Sequence, residues 1–238
     1  YFTMGTNEWQ SASQWPPKKS KPVRFYLHSN GNSNSLYGDG KLSQQLPNGH
    51  QPADQFVYDP MNPVQTIGGG DCCNGDIVIP GAFDQRIIEV RQDVLVYTSE
   101  PLQKPMEVTG FIDAVLYVSS DAKDTDFAVK LVDVAPDGTA HIIDDTILRA
   151  RYREGYDRTV MMEKDEVYKL DLTPMTSSIV FQQGHSIRVE VTSSNFPKFE
   201  RNLNTGGENF NETEGVMARN KVHHSTHYAS YIELPIIQ

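Results

Sequence analysis

The stretch Asp93–Gly138 reads DVLVYTSEPLQKPMEVTGFIDAVLYVSSDAKDTDFAVKLVDVAPDG, three runs of alternating apolar residues separated by turn residues. Val108, Ile112, Ala114, Leu116 and Val118 occupy one side of a two-residue period, with Gly110 in the remaining slot. Thr109, Phe111, Asp113, Val115 and Tyr117 occupy the other. Successive side chains of a strand point to opposite faces, so this alternation predicts half-buried antiparallel strands rather than helix. Phe127, Val129 and Leu131 repeat the pattern one strand later. Ala135–Pro136–Asp137–Gly138 closes it, because proline presets φ at the second turn position and glycine suits the last. The core of an all-β domain is laid down here.

Working outward, Val23–His28, Glu166–Leu172 and Tyr231–Ile236 also read as strands, and Phe56–Tyr58 as an edge segment beside Asp59–Pro60 and Asn62–Pro63. In Ile142–Arg153, Leu148, Ala150 and Tyr152 are expected to face in and Arg149, Arg151 and Arg153 to face out. In His185–Ser193, Ile187, Val189 and Val191 oppose Arg188, Glu190 and Thr192. Glu208–Asn220 resembles a short helix. Ser29–Asp54 is polar and weakly structured, and Ile67–Phe83 (IGGGDCCNGDIVIPGAF) is a long irregular loop of a kind that is more often functional than a short one. The strand spacing, with no internal repeat, predicts two packed antiparallel sheets with long loops: a jelly-roll β-sandwich of the galactose-binding-like type.

The 238 residues suffice for one large core without disulfide staples. A formal net charge of −10, with KKSK at Lys18–Lys21 as the one basic run, argues against a nucleic-acid or anionic-membrane partner. Apolar runs are strand-sized, too short for a transmembrane helix. Cys72 and Cys73 are adjacent, so they give no disulfide framework and leave the redox compartment undecided. No signal-peptide pattern is present, and the chain begins at Tyr1–Phe2 inside an apolar run without a starting Met. The expectation is a piece of a longer polypeptide, with 1–22 as the junction from an upstream domain and 23–238 as the jelly roll. The compartment stays open, a periplasmic or secreted location being favoured over a cytoplasmic one.

No complete catalytic set can be assembled from the residues. Gly31–Asn32–Ser33–Asn34–Ser35 comes nearest to a G-x-S-x-G elbow, fails at the last position, and sits in a polar loop. His223, His224 and His227 lack a thiolate or carboxylate at ligand spacing and read as turn and packing histidines. Asp121, Asp124 and Asp126 lack the EF-hand spacing and its turn glycine, and read as turn carboxylates. The arginines 149, 151 and 153 suit a solvent face, an interdomain contact or an anion clamp. The vicinal cysteines would line a pocket, act in redox chemistry or simply pack. Neither a metal nor a cofactor is expected.

Several stretches carry a family resemblance. YFTMGTNEWQSASQWPP (Tyr1–Pro17), YDPMNPVQTIGGG (Tyr58–Gly70), FDQRIIEVRQDVLVYTSEPL (Phe83–Leu102), the D-T-D-F…K-L-V-D-V-x-P-D-G run of Asp124–Gly138, and SSNFPKFERNLNTGG (Ser193–Gly207) are similar to the C-terminal domain of one serine hydrolase group. It comprises X-Pro dipeptidyl-peptidases, cocaine esterases and α-amino acid ester hydrolases, including glutaryl-7-aminocephalosporanic acid acylases. The chain departs from the pattern at Tyr228–Ala229, where the group commonly has His-Pro. Its Cys72–Cys73 loop resembles the acylase-like members more than the cocaine esterases.

The resemblance implies an α/β-hydrolase domain and a helical cap elsewhere in the same polypeptide, with the catalytic Ser, Asp and His upstream of the Tyr1–Pro17 motif. No catalytic residue is then expected in this chain. Cys72, Cys73 and Asn74 are the implied rim of the substrate cleft. Trp9, Trp15, Asp84, Gln85 and Arg86 are the implied interdomain contacts, the last three either through a buried Arg–carboxylate pair or by pinning their own loop. The implied function is to help close the cleft of an ester, amide or peptide hydrolase and to support a homo-oligomer. The alternative is an independent carbohydrate-binding jelly roll.

Overall fold

A computed structural model describes residues 1–70 and 75–238, and of Asn209 the backbone alone. The strands are β1 (Phe2–Thr3), β2 (Glu8–Trp9), β3 (Ser20–His28), β4 (Lys41–Ser43) and β5 (Asp54–Tyr58). A short helix α1 (Arg86–Glu89) precedes β6 (Leu95–Thr98), β7 (Met106–Ser120), β8 (Asp126–Val134) and β9 (Ala140–Arg149). Then come β10 (Tyr168–Asp171), β11 (Met175–Phe181), β12 (Ser186–Thr192), β13 (Ala218–His223) and β14 (Tyr231–Ile237).

The opening stretch supplies the spine. β7 is long enough to pair with two strands along each edge: β11 and β10 on one side, β14 and β13 on the other, all antiparallel. β3 extends this layer beyond β14, and β5 extends it beyond β13. The second layer runs β6–β12–β8–β9, again antiparallel. β4 joins the layers, antiparallel to β3 and touching β6 through the parallel pair Lys41–Thr98. Ile112 and Leu116 of β7, Phe25 and Leu27 of β3, Phe127, Val129 and Leu131 of β8, and Ile187, Val189 and Val191 of β12 meet in one buried core. That is the all-β sandwich the alternation predicts.

Local chemistry sets the details. The Gly138 N–H donates to the Ala135 carbonyl at 2.8 Å, closing the β8–β9 turn with Gly138 at φ +86°. Gly110 has φ +141°, and a Cβ there would stand 2.9 Å from Pro16 Cβ and 3.0 Å from Pro235 Cβ. Glycine is therefore required where two prolines cross the spine. Pro235 lies where the β14–β7 register shifts, a position where a missing N–H costs little.

Two expectations need correction, and one strand was not foreseen. Glu208–Asn220 is no helix: Asn209–Asn211 makes one 3₁₀ turn, and Ala218–His223 is a strand whose side chains alternate between buried and exposed. The strand begun at Ile142 ends at Arg149, and Ala150–Tyr152 form a 3₁₀ turn. Met175–Phe181 forms β11 although Ser177 and Ser178 blur its alternation; Ser178 Oγ is satisfied by Thr3 and Thr109, each at 2.9 Å.

Candidate functional site

The two layers have outer faces of opposite character. On the β6–β12–β8–β9 layer, the polar half of the alternation is buried. Lys130, Glu190 and Arg188 are sealed under α1 and the described residues around it, which also bring Val64, Ile88 and Val94 onto Val96. The faces of β12 were legible in the sequence, but the solvent exposure of Arg188 and Glu190 was not. Their charges find partners instead: Arg188 donates to Glu89 of α1 at 2.6 Å and to Thr98 at 2.8 Å. Lys198 and Asn195 both donate to Asp145, at 2.6 and 3.0 Å.

The candidate residues of this segment divide. Gln85 is wholly buried, accepts from Lys130 at 3.1 Å, and donates to the carbonyls of Ile67 and Phe83 at 2.8 and 3.0 Å. Its amide therefore ties both ends of the Ile67–Phe83 loop to the sheet. Asp84 and Arg86 pair with each other at 2.8 Å on a half-exposed surface, so theirs is no buried ion pair. The Arg86 guanidinium, through its hydrogen bond, holds the Asp84 carboxyl below its usual range. Cys72, Cys73 and Asn74 lie outside the described residues. Thr66, Ile67, Gly68, Ile77, Ile79 and Phe83 line an apolar hollow of about 290 Å³.

The outer face of β7 is more open by contrast: Phe111 is exposed and Asp113 and Tyr117 are half-buried, while Thr109, Val115 and Ser119 are buried. Trp15 meets Phe111 edge-on at 6.5 Å and Tyr1 at 5.4 Å. Further along, Arg24 lies 4.5 Å over the Tyr231 ring, and Tyr26 meets that ring at 5.8 Å. Tyr117 and His223 meet Tyr228 at 5.6 and 5.7 Å. The β1–β2 hairpin sits at the Thr109 end, with Trp9 packed edge-on against Phe2 and 80% exposed. Between the aromatic groups, Pro16, Pro17, Pro22, Phe111 and Pro235 line a hollow of about 340 Å³. Asp113 faces Glu233 there in register; burial, then Glu233 and Asp171, raises its pKa. Arg24 holds Glu233 at 2.8 Å. Aromatic residues and arginine on one face are the composition of a protein interface core.

A Ser–His–Asp cluster does form, at positions with no motif in common. Ser29 Oγ donates to Asp54 at 2.7 Å, and His224 Nε2 lies 2.9 Å from the same carboxylate. Tyr97 donates to it at 2.7 Å, and Gln51 meets His224 Nδ1 at 2.9 Å. Burial alone would raise Asp54, but hydrogen bonds from His224, Ser29 and the Ser33 N–H bring its pKa below the ordinary value. Ser29 Oγ lies nearer to both oxygens of the carboxylate, at 2.7 and 2.8 Å, than to His224 Nε2 at 3.2 Å, and His224 is fully buried. The cluster is a latch for the Ser29–Asp54 segment, the reverse of an activated nucleophile.

The arginine face also needs correction. Arg151 is buried and donates to Asp124 at 2.7 Å, while Arg149 donates to Asp126 at 2.9 Å. Arg153 donates to the carbonyls of Ala150 and Val160. Asn202, from the Ser193–Gly207 run, donates to both aspartates at 2.7 Å. This packing locks the irregular run against β8 and β9, and it uses Asp124 and Asp126 structurally. Asp121 accepts from the Arg219 N–H at 2.7 Å.

The β-sandwich thus has one sealed face, one partly open aromatic face and a Ser–His–Asp cluster buried in its own packing. The chain belongs to the X-Pro dipeptidyl-peptidase C-terminal non-catalytic domain family, whose pattern matches residues 1–233. It is 44% identical over 240 residues to the cocaine esterase of Rhodococcus sp. (strain MB1 Bresler), covering 100% of this chain and 41% of that protein. An aminopeptidase from a marine sediment Thaumarchaeota archaeon superposes with a TM-score of 0.86 at 29% identity, over 100% of this chain and 40% of its own. An α-amino acid ester hydrolase superposes at 0.84 and 28% identity, over 99% of this chain and 40% of its own. The chain thus spans about two fifths of the length of each of these relatives.

Proposed function

We propose that this domain serves an α/β-hydrolase-type serine hydrolase acting on ester, amide or X-Pro peptide bonds, and that it docks on the hydrolase and cap domains through the open face of β7. The family match over residues 1–233, to a domain described as non-catalytic, carries this reading. Trp9 and Trp15 are the interdomain anchors, since large aromatic groups left in solvent gain most from a partner surface. Gln85 acts indirectly, by fixing the base of the loop that bears the proposed rim residues Cys72, Cys73 and Asn74. Asp84 and Arg86 present their ion pair at the same edge. Homo-oligomer support through the same scaffold belongs to the proposal.

The chemistry would be acyl transfer to a serine supplied by the hydrolase domain. In a carbohydrate-binding module, coplanar rings would be expected to form a flat platform. Here Tyr26 and Tyr231 meet at 64°, and Arg24 covers the Tyr231 ring, which favours a protein partner. The test uses p-nitrophenyl esters and X-Pro anilides. The chain alone should give no turnover above background, and the polypeptide that carries it should hydrolyse one of the two classes. Serine-dependent turnover by the chain alone, or saturable binding on a glycan array, would overturn the reading.

A further inference from the structure

The sealed face contains a carboxyl group that accepts no hydrogen bond. Glu190 is wholly buried, and neither of its side-chain oxygens has a donor. Glu89 is equally buried; Arg188 satisfies its Oε2, and its Oε1 has no donor. The two side chains lie within hydrogen-bond reach of each other. Lys130 stands 3.9 Å from Glu190, beyond hydrogen-bond distance, and donates its hydrogen bond to Gln85 Oε1 at 3.1 Å. A buried carboxylate without a single donor is among the most expensive arrangements a fold can hold. Two facing carboxyl groups that share one proton remove that cost, because one becomes the donor and the other the acceptor.

We propose that Glu190 is held as a neutral carboxylic acid whose proton is shared with Glu89, and that this acid pair clamps helix α1 onto β12 until the proton leaves. Burial is the main cause that raises the Glu190 pKa, from 4.5 to about 8, with Glu89 adding to it and Lys130 and Arg188 opposing it. Every charged group around the pair belongs to the balance: Arg188 on β12, Lys130 on β8, Glu89 on α1, Asp145 on β9 and Lys198 beyond β12. Loss of the proton sets two carboxylates against each other and turns Glu190 toward Lys130. Glu89 lies on a single helical turn while Glu190 lies on β12, which is paired along both edges, so α1 is the part that loosens. With it loosen Gln85 and the base of the Ile67–Phe83 loop. The folded pKa lies above the unfolded one, so the clamp's contribution is complete below about 4.5 and is lost as pH rises through about 8.

The test uses the chain with ¹³C-labelled glutamate. The Glu190 carboxyl carbon should titrate between pH 7 and 9, assigned by its absence in Glu190→Gln. Amide protection at Ile88–Arg91, corrected for intrinsic exchange, should fall over the same range, by about tenfold for each pH unit above the midpoint. In Glu190→Gln, which keeps a donor for Glu89, protection should stay level. A Glu190 carbon already ionised at pH 6, or wild-type protection at α1 that is level from pH 6 to 9, would overturn the proposal. The carbon titration decides the matter in wild-type chain even if the variant does not fold.

Discussion

On the outer side of β12 and β8, the polar half of the alternation is sealed beneath α1 and the described residues around it; on the outer side of β7, Phe111 is exposed and Asp113 and Tyr117 are half-buried. Both faces come from strands with the same two-residue period. They differ in what crosses them: a long covering segment with α1 in one case, and a two-strand hairpin with a proline-rich crossing in the other. Burial keeps Arg188, Lys130, Glu89 and Glu190 from bulk solvent, so each charge needs a protein partner or a proton. The open face keeps its charges wet and leaves its aromatic groups partly uncovered. One face is committed to this domain's own stability, and the other is the face through which we propose docking.

The largest test of that contrast is to break a pair on the sealed side. Arg188→Ala removes the buried cation that holds Glu89 Oε2, and should cost about 3–5 kcal/mol in urea unfolding. A loss below about 1 kcal/mol would mean that the covering segment already admits water. Trp9→Ala on the open side should change the stability of the chain alone by no more than about 0.5 kcal/mol. In the full hydrolase it should weaken domain association by about 2 kcal/mol.

Acid and alkali should then separate the two faces. His223, beside Tyr228 and Ser119 at the open face, is pushed down to about 4, by burial first and then by Lys221 and His224. A histidine whose folded pKa lies below its unfolded value stabilises fully above pH 6.5, and that contribution is lost as pH falls toward 4. His223→Gln should flatten this acid limb. The effect should be roughly 1–2 kcal/mol once solvent screening of a part-exposed ring is allowed for. The alkaline limb belongs to Glu190 and should survive that substitution. Identical responses on both limbs would break the assignment of one to each face.

The smallest effect is expected at Arg24 and Glu233, a pair that solvent reaches. Arg24→Ala should cost less than about 1 kcal/mol in the chain alone, and the difference should shrink in high salt.

Much of the sandwich was legible because a strand's period states which residues share a face. β7, β8, β12 and β14 follow from it directly. β13 was obscured by its neighbours, since the Asn- and Glu-rich run before it imitates an amphipathic helix. The latch of Ser29, Asp54, Tyr97 and His224 carried no local signal. Its members come from four separate segments, and nothing in any one segment marks them as partners. Arg151 was expected to face out, but the strand gives way to a 3₁₀ turn that buries it, and the aspartates that hold Arg149 and Arg151 stand at 126 and 124, at the start of β8 and just before it.

The sequence by itself determined the all-β class, the spine strand, the turn at Ala135–Gly138 and the absence of a nucleophile elbow. These rest on local chemistry: side-chain alternation, proline and glycine dihedrals, and fixed motif spacing. Only the tertiary structure decided which polar face was sealed, which serine met which histidine, and which carboxyl group was left without a donor. Burial depends on what a distant segment covers, and a period of two residues records a side chain's direction without recording what lies there.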